Sequence, residues 1–416
     1  MTTAPELRPA DLAAGFTHVG HTDQGGRPDA MQVQYWNRHV YVGHLFSGGF
    51  SVVDVTDPRH PTPGVFVPAP ERTWNIHLQA ADDLLLVIHA RDLWKTLDVE
   101  QNYYQGSVGT RLAGAEQDWS AGVAVYDISA PADPRPIAFL PVDGIGVHRL
   151  WFTGGRYAYA SVLPDGFTDY VLRVIDLADP AHPQWAGGYW LPGMNTAAGE
   201  KPTWDTDRWR YALHHAIVAG DTAYASWRDG GLTILDVSDR AAPTLVSHRN
   251  WSPPYGGGTH TALPLPGRDL LVVADEATAD DLADGLKHVW VFDIREPENP
   301  VSIATFPTPA EDDYASKGRH FGPHNLHENR PGSFVSEELV FGTFQNAGVR
   351  AFDLTDPYAP RQVAAFVPGA PETVVDPRPG GRPVVQTADV YVRDDGITFI
   401  TDYNGGLDVL EFTGKE

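Results

Sequence analysis

The sequence predicts an all-β fold, a seven-bladed β-propeller of four-stranded antiparallel blades that occupies residues 1–416 as a single domain. Three observations lead to this prediction. A short acidic motif recurs along the chain, the segments between its copies read as strands and tight turns, and the two chain ends carry complementary parts of one repeat. Each is a sign of repetition around an axis.

The recurring motif has the form apolar-apolar-acid-apolar-x-Asp/Glu-Pro, with variations. Its copies are VVDVTDP at Asp54, VYDISAP at Asp127, VIDLADP at Asp176, ILDVSDR at Asp236, VFDIREP at Asp293, AFDLTDP at Asp353 and VLEFTGK at Glu411. Successive acids lie 73, 49, 60, 57, 60 and 58 residues apart. Because aspartate oxygens accept backbone hydrogen bonds in turns, these acids are expected to shape turns rather than to catalyse.

The segments before each acid contain further strand-like runs, such as RYAYASV and TAYASWRDGGLTILD, separated by glycine-rich turns. Each unit therefore reads as a four-stranded meander, A to D, with the acid at the C–D turn. The 41 glycines and 35 prolines suit many short strands joined by turns. Radial repetition of such a sheet buries both of its faces.

The ends of the chain predict how the propeller closes. The last unit stops after its C strand at GLDVLEFTGKE, while the chain begins with GFTHVGHTDQGG, which reads as a D strand without A, B or C. The N-terminal strand is therefore predicted to complete the last blade.

These repeats resemble the LVIVD repeat family of β-propellers, in which YVADGxxGLxVVDVSDPxxPxxVG recurs. The resemblance covers nearly the whole chain and implies the propeller fold. It implies no particular chemistry, since propellers carry many functions.

Composition excludes several kinds of partner and chemistry. The 54 acidic and 30 basic side chains give a formal charge of −24, so neither nucleic acid nor an anionic membrane is expected as a partner. With no cysteine, any metal must be bound by nitrogen and oxygen. Neither a signal-like start nor a run of 18 apolar residues occurs, and a cytoplasmic protein is expected.

Histidines recur at the predicted starts of the A strands, which line the channel of a propeller. They stand in WNIHLQA, IGVHRLW, ALHHAIV, GTHTALP and GPHNLHE. The predicted ligands of a divalent transition metal, Fe, Mn, Cu or Zn, are His77, His148, His215, His260 and His324. In ALHHAIV only one histidine of the pair can face inward, and alignment to the following turn favours His215 over His214.

A second set of residues is expected near the same rim. Glu276, His327 and His89 are the candidates for moving protons. The candidates for binding a substrate are Trp74, Trp151, Trp227, Arg228, Gln345 and Tyr403. The long interval in the second unit contains an insertion at residues 91–119, which is expected to act as a lid through Trp94, Tyr103 and Tyr104.

The sequence favours a metal-dependent enzyme that acts on a small, largely apolar or aromatic molecule, with oxidative, dioxygen-using chemistry as the first choice. The layout is similar to that of the carotenoid and stilbene cleavage dioxygenases, which hold iron on histidines at a propeller axis. It is also similar to that of oligogalacturonate lyases, and a metal-dependent lyase or hydrolase is the alternative. A metal-free interaction scaffold, with the histidines hydrogen-bonded to backbone and water, is the remaining one. No oligomeric state is indicated.

Overall fold

The structure is a computed structural model that describes residues 7–96, 104–377 and 382–414. Strands dominate these residues. The first are β1 (Leu12–Ala14), β2 (Phe16–Thr22), β3 (Ala30–Trp36), β4 (His39–His44), β5 (Gly49–Asp54), β6 (Thr62–Pro68), β7 (Thr73–Trp74), β8 (Leu78–Ala81), β9 (Leu84–Arg91), β10 (Gly122–Asp127) and β11 (Arg135–Pro141).

The strands continue in the same manner to the C-terminal end. They are β12 (Gly144–Trp151), β13 (Tyr157–Pro164), β14 (Val171–Asp176), β15 (Gln184–Tyr189), β16 (Tyr211–Ala219), β17 (Thr222–Arg228), β18 (Leu232–Asp236), β19 (Thr244–Arg249), β20 (Thr259–Leu265), β21 (Leu270–Asp275), β22 (Val289–Asp293), β23 (Val301–Thr305), β24 (Leu339–Thr343), β25 (Val349–Asp353), β26 (Arg361–Val367), β27 (Thr387–Val392), β28 (Ile397–Asp402) and β29 (Gly406–Phe412). The connections contain α1 (Leu93–Thr96), α2 (Val108–Arg111) and 3-10 turns at Thr196–Ala198, Pro266–Arg268, Asp280–Leu282 and Tyr314–Lys317.

Neighbouring strands pair antiparallel in chain order, as in a meander. One four-stranded sheet has the order β3-β4-β5-β6. The runs β8 to β11 and β12 to β15 join through the pair Gly146↔Ala90, and the runs β16 to β19 and β20 to β23 through Arg228↔Thr259. The fold is therefore all-β and propeller-like.

Both N-terminal strands pair with strands from the far end of the chain. β1 adds to the edge of β26, and β2 adds to β29 with a register that runs from Phe16↔Phe412 to Thr22↔Leu407. The sheets formed in this way are β1-β26-β25-β24 and β2-β29-β28-β27. The chain ends are thus held together by ladders of backbone hydrogen bonds.

The hydrophobic core lies between the faces of adjacent sheets. In one cluster, Val33, Val42 and Val53 from β3, β4 and β5 pack with Phe399 and Val409 from β28 and β29. Alternation along each strand sends these side chains to the buried face.

The recurring acids shape the turns, as predicted. Asp54 Oδ1 accepts a hydrogen bond from Thr56 N at 2.8 Å. The same bond, from the backbone N–H two residues on, is made to Asp127, Asp176, Asp236, Asp293 and Asp353. These carboxylates are occupied by the turns and are not part of a reactive site.

Candidate metal centre

Irregular pairing at the starts of β12, β16 and β20 positions the inward histidines. His148 falls between the pairs Val147↔Val162 and Arg149↔Ser161, and His260 falls between Thr259↔Asp275 and Thr261↔Ala274. In β16 the irregularity lies between Tyr211↔Arg228 and His215↔Ser226 and contains His214. A bulge re-aims the residue that it leaves unpaired, so these three side chains leave the regular alternation.

Histidine rings from β12, β16, β20 and two connecting segments stand next to one another in a chain of contacts. The ring centroids of His148 and His214 lie 4.8 Å apart, those of His214 and His260 3.5 Å, and those of His260 and His324 4.6 Å. The ring of His77 is 5.1 Å from that of His148. The five rings thus come from segments up to 247 residues apart in sequence and meet in one place.

Two groups of side chains bring possible ligand atoms close enough to share a cation. One group is His77, His148 and His214, and the other is His260, Glu276 and His324. Within each group, one ligand atom from each residue lies within 4.8 Å of the others. All six residues are buried.

Backbone carbonyls fix the orientation of two of the rings. Nδ1 of His214 lies 2.9 Å from the carbonyl oxygen of His260, and Nδ1 of His324 lies 2.6 Å from that of Ala388. The side-chain amide of Asn325 also lies 3.3 Å from Nδ1 of His324, but it donates to the same Ala388 carbonyl at 2.9 Å. A carbonyl only accepts, so each Nδ1 carries the proton and each Nε2 keeps its lone pair. This is the arrangement in which metal-binding histidines are commonly held.

Burial keeps the imidazoles neutral, which metal binding requires. It lowers the pKa of His148, His214 and His260 well below the ordinary value, and positive side chains such as Arg228 lower it further. The pKa of His324 is lowered as well, by burial, although the nearby Glu276 opposes the change. At neutral pH these rings therefore present uncharged nitrogen donors.

Glu276 is the carboxylate of the site. Its Oε1 lies 3.7 Å from Nε2 of His324, and its Oε2 lies 3.8 Å from Nε2 of His260. Arg228 Nη1 donates to Oε2 at 2.7 Å, and the hydroxyl of Tyr104 donates to Oε1 at 3.4 Å. Burial raises the pKa of Glu276 but the Arg228 guanidinium lowers it, and the net direction is downward, so this carboxyl is ionised.

The backbone of Arg228 is held in the left-handed region at φ 47°. For a residue with a side chain this conformation costs about 1 kcal/mol or more. Because the strand β17 ends at this point, the turn directs the guanidinium toward Glu276 instead of along the sheet.

These side chains surround a small cavity, which we call the histidine cavity. Its polar lining is His148, His214, His260, His324, Glu276, Arg228 and Tyr104. Its apolar lining is Met31, Leu45, Trp74, Ile76, Trp94 and Tyr403. About 20 Å³ is open to the centre of a water molecule, which is room for an ion or about one water.

The structure brings His214 rather than His215 to this cavity. His215 pairs with Ser226 in the regular part of β16, and its Nε2 lies 2.9 Å from Oε1 of Glu328. The prediction of His215 assumed simple alternation from the following turn, which does not hold across the bulge that precedes His215. The residue that faces the cavity is therefore His214, one position earlier.

His77 is in the first group of side chains but is bound differently. Arg149 Nη1 lies 3.2 Å from His77 Nδ1, and Arg149 Nη2 donates to Oε1 of Glu328 at 3.1 Å. Glu328 also receives the hydrogen bond from His215 and lies 3.5 Å from Arg330 Nη1. Glu328 thus anchors a buried set of cations beside the histidine cavity.

Of the predicted substrate-binding residues, Trp74, Arg228 and Tyr403 line the histidine cavity. The others lie elsewhere. Trp227 donates its Nε1 to Thr233 Oγ1 at 2.8 Å, Trp151 packs on the ring of His215, and Gln345 donates its Nε2 to the carbonyl of Ala277 at 3.1 Å.

The two histidines predicted to move protons do not line this cavity either. His327 uses both nitrogens on backbone: Nε2 lies 2.8 Å from Phe334 O, and Nδ1 accepts from Val392 N at 3.2 Å. It lines a separate small cavity with Glu328 and Asp389. His89 has Nδ1 2.8 Å from Ser120 Oγ, and burial lowers its pKa to about 4.

The part of the insertion that the structure describes contacts the cavity. Trp94, in α1, and Tyr104 are both in its lining. The ring of Trp94 packs on Trp74 and Phe46 at centroid distances of 5.9 and 5.7 Å. Residues 97–103, and with them Tyr103, lie outside the described residues.

Sequence reasoning missed Arg149, Glu328 and the aliphatic wall of Met31, Leu45 and Ile76. Arg149 and Glu328 each directly follow one of the candidate histidines, and this position is the signal that they give; Arg149 lies in β12, whereas Glu328 lies outside the named strands. That signal is ambiguous, because a charged residue next to an inward residue normally faces solvent.

Comparison with known proteins agrees with the fold. A model of the LVIVD repeat matches residues 216–250, which comprise the last four residues of β16 and all of β17, β18 and β19. The predicted resemblance to the LVIVD repeat is thus confirmed for this segment, and the all-β architecture is propeller-like. No curated protein matches the chain.

Two solved structures show the same architecture at low sequence identity. The β-propeller domain of Cps50 (Swd1) from Myceliophteria thermophila aligns with a TM-score of 0.55 and 11% identity, over 92% of this chain and 97% of that one. A protein from Desulfotomaculum acetoxidans, described as functionally unknown, aligns with a TM-score of 0.50 and 11% identity, over 82% and 86%. At this identity the likeness concerns the fold alone.

Within the described residues, no helix combines the length and the apolar character needed to cross a membrane.

Proposed function

We propose that this protein is a metal-dependent enzyme that holds a divalent transition metal among histidines in its central channel and acts on a small, largely apolar or aromatic molecule. One observation carries the proposal. Four neutral imidazoles and one ionised carboxylate, brought from separate segments of the chain, face a single cavity that has room for an ion.

The donor set fits such a metal. Neutral imidazole suits Fe, Mn, Cu and Zn, and two histidines with one carboxylate form the set that non-haem iron oxygenases use. His260, Glu276 and His324 are a set of this type. Iron held there would supply dioxygen chemistry, and this match of donor types is the observation that favours oxidative chemistry.

The distances between rings also fit a shared cation. Two imidazoles that bind one cation through Nε2 at about 2.1 Å and at right angles have centroids roughly 4.5 Å apart. The pairs His148–His214 and His260–His324, at 4.8 and 4.6 Å, are close to this value. His214 and His260, stacked at 3.5 Å, have to separate slightly.

The chain's own side chains would have distinct tasks around the cation. Arg228 and Tyr104 hold Glu276 in place by hydrogen bonds, and Arg228 compensates its charge. Trp74 and Tyr403 line the same cavity, and their rings would exclude water from the cation and favour an aromatic or aliphatic substrate beside it. Trp94 and Tyr104 cover the cavity, in line with a lid role for residues 91–119.

A lyase or hydrolase that uses the metal as a Lewis acid is the second candidate. The observation in its favour is Glu276, a carboxylate that could take a proton from a bound substrate. Gln345, which sequence reasoning placed beside it, donates to Ala277 instead. The oxidative alternative therefore has the stronger support.

We further propose that the antiparallel runs are seven blades around one axis, with β2 completing the last blade. The pairing of β2 with β29 supports this closure. The cytoplasmic location stays a prediction from the sequence. The same holds for the kind of partner, a small molecule rather than a nucleic acid or a membrane.

Elemental analysis of the purified protein tests the metal. We expect about one transition-metal ion per chain, lost in His148→Ala and His260→Ala. His182→Ala is the matched control, because His182 is exposed and pairs with Asp179 in a turn. Unchanged metal content in the two cavity variants would refute the proposal, and a metal-free wild-type protein after loading with Fe²⁺, Mn²⁺, Cu²⁺ and Zn²⁺ would favour an interaction scaffold.

A further inference from the structure

We propose that His77, although it belongs to the ring, does not bind the cation and instead presents a fixed hydrogen-bond donor to an oxygen atom of a molecule bound beside it. This inference rests on the proposed function and leaves His148, His214, His260, His324 and Glu276 as the residues from which the ligands are drawn. It follows from the hydrogen bonds of the imidazoles, which differ between members of the ring.

The partner of His77 decides which of its nitrogens carries the proton. Arg149 Nη1 lies 3.2 Å from His77 Nδ1. A guanidinium has N–H donors and no acceptor, so Nδ1 must accept through its lone pair. A neutral imidazole has one such lone pair, and Nε2 of His77 therefore carries the hydrogen.

His214 and His324 are held in the opposite tautomer. Their Nδ1–H groups donate to the carbonyls of His260 and Ala388 and leave Nε2 free to bind a metal. His77 has its only lone pair engaged with a cation, and a second cation cannot use it. The ring therefore contains two kinds of imidazole, sorted by what each Nδ1 contacts.

Arg149 is held firmly in this position. Its side chain is 1% exposed, and its second terminal nitrogen donates to Oε1 of Glu328 at 3.1 Å. The same carboxylate oxygen receives His215 Nε2 at 2.9 Å, and Arg330 lies beside the other oxygen. Moving Arg149 toward another partner would leave Glu328 short of a buried cation, which is costly.

The hydrogen on Nε2 of His77 has no acceptor among the described residues, although this atom is buried. A ring nitrogen of His77 lies within 4.8 Å of ligand atoms of both His148 and His214. An unpaired buried donor loses free energy unless something accepts its hydrogen. An oxygen of water, of a carboxylate or of a substrate at the cation would do so.

Three matched substitutions separate the two kinds of histidine: His77→Asn, His214→Asn and His324→Asn. Asparagine keeps a polar atom near the Nδ1 position, where the amide can accept from Arg149 or donate to a carbonyl, and it removes Nε2. The three variants therefore preserve the local hydrogen bond and differ only in the role of the lost nitrogen.

The first measurement is Zn²⁺ affinity by competition with a chromophoric chelator. We expect His214→Asn and His324→Asn to weaken binding by more than about 100-fold, beyond the 10- to 100-fold typical of partners outside the coordination sphere. His77→Asn should change affinity by less than about tenfold. A loss in His77→Asn equal to the other two would overturn this inference and leave the proposed function intact, whereas a wild-type protein without Zn²⁺ affinity would overturn both.

The second measurement tests the donor. Formate is titrated into the Co²⁺-loaded protein, and its binding is followed by the visible absorption of the metal. His77→Asn should weaken formate binding about fivefold, the usual effect of one lost hydrogen bond. Equal formate affinity in wild type and variant, or no formate-dependent change in the wild type, would overturn the donor role.

Discussion

Replacement of the buried Asp389 by asparagine should make the protein more stable, and more so as the pH rises. Asp389 is 4% exposed, its Oδ2 accepts from Val33 N at 3.0 Å, and its own N–H donates to Thr401 Oγ1 at 3.0 Å. Burial, with a contribution from Glu328 and against that of Arg149, raises its pKa from 3.8 to about 7. Asparagine can accept from Val33 in the same way and has no charge to bury.

The direction of the pH dependence follows from whether the folded or the unfolded protein binds the Asp389 proton more tightly. The folded protein prefers protonated Asp389, so its penalty is absent below the unfolded pKa of 3.8 and grows until the pH passes about 7. A shift of about three units at 1.36 kcal/mol each limits the penalty to about 4 kcal/mol. Roughly 2.5 kcal/mol of this develops between pH 5 and pH 8.

Urea denaturation of wild type and Asp389→Asn at pH 5, 6, 7 and 8 measures this difference. We expect the variant to gain stability over wild type by up to about 2.5 kcal/mol across the range. Asp394→Asn, at an exposed position nearby, is the control and should show a constant difference. Parallel stability curves for wild type and Asp389→Asn would refute the assignment of a raised pKa.

Other substitutions test the packing around the site. Asp169→Asn disrupts a buried ion pair in which Arg210 Nε and Nη2 each donate to Asp169 at 3.0 Å, so it should lower the free energy of unfolding by about 3–5 kcal/mol. The N–H of Val108 in α2 also donates to Asp169, so proteolytic cleavage near α2 should increase. Arg156→Met removes an exposed pair with Asp176 and should cost less than about 1 kcal/mol by the same denaturation assay. Ser161→Ala removes the hydroxyl that accepts from Arg149 N at 3.0 Å, and a loss of about 1 kcal/mol is expected; an unchanged midpoint would show that this bond does not hold the bulge.

The repeat predicted the fold because its signals are local. The acids that end the C strands accept the turn hydrogen bonds expected of them, and alternating apolar residues form the buried faces. The inward position of His148 and His260 could likewise be predicted, since equivalent places in a repeat face the same way.

Some features of the site depend on three-dimensional contacts and could not be predicted from the sequence. The choice between His214 and His215 depends on a bulge, which changes the alternation and has no fixed sequence signature. Arg149 and Glu328 meet although they are 179 residues apart. The same contact determines the tautomer of His77, which no count of histidines could have predicted.

In β12, β16 and β20, the bulges that carry His148, His214 and His260 assign strand pairing and the presentation of a side chain to the cavity to different residues. The residues on either side keep the sheet in register through their ladder pairs, and the unpaired residue makes no such pair. Its side chain can therefore be exchanged with little effect on the frame. A propeller built in this way can acquire, lose or alter a reactive centre one blade at a time while its architecture remains unchanged.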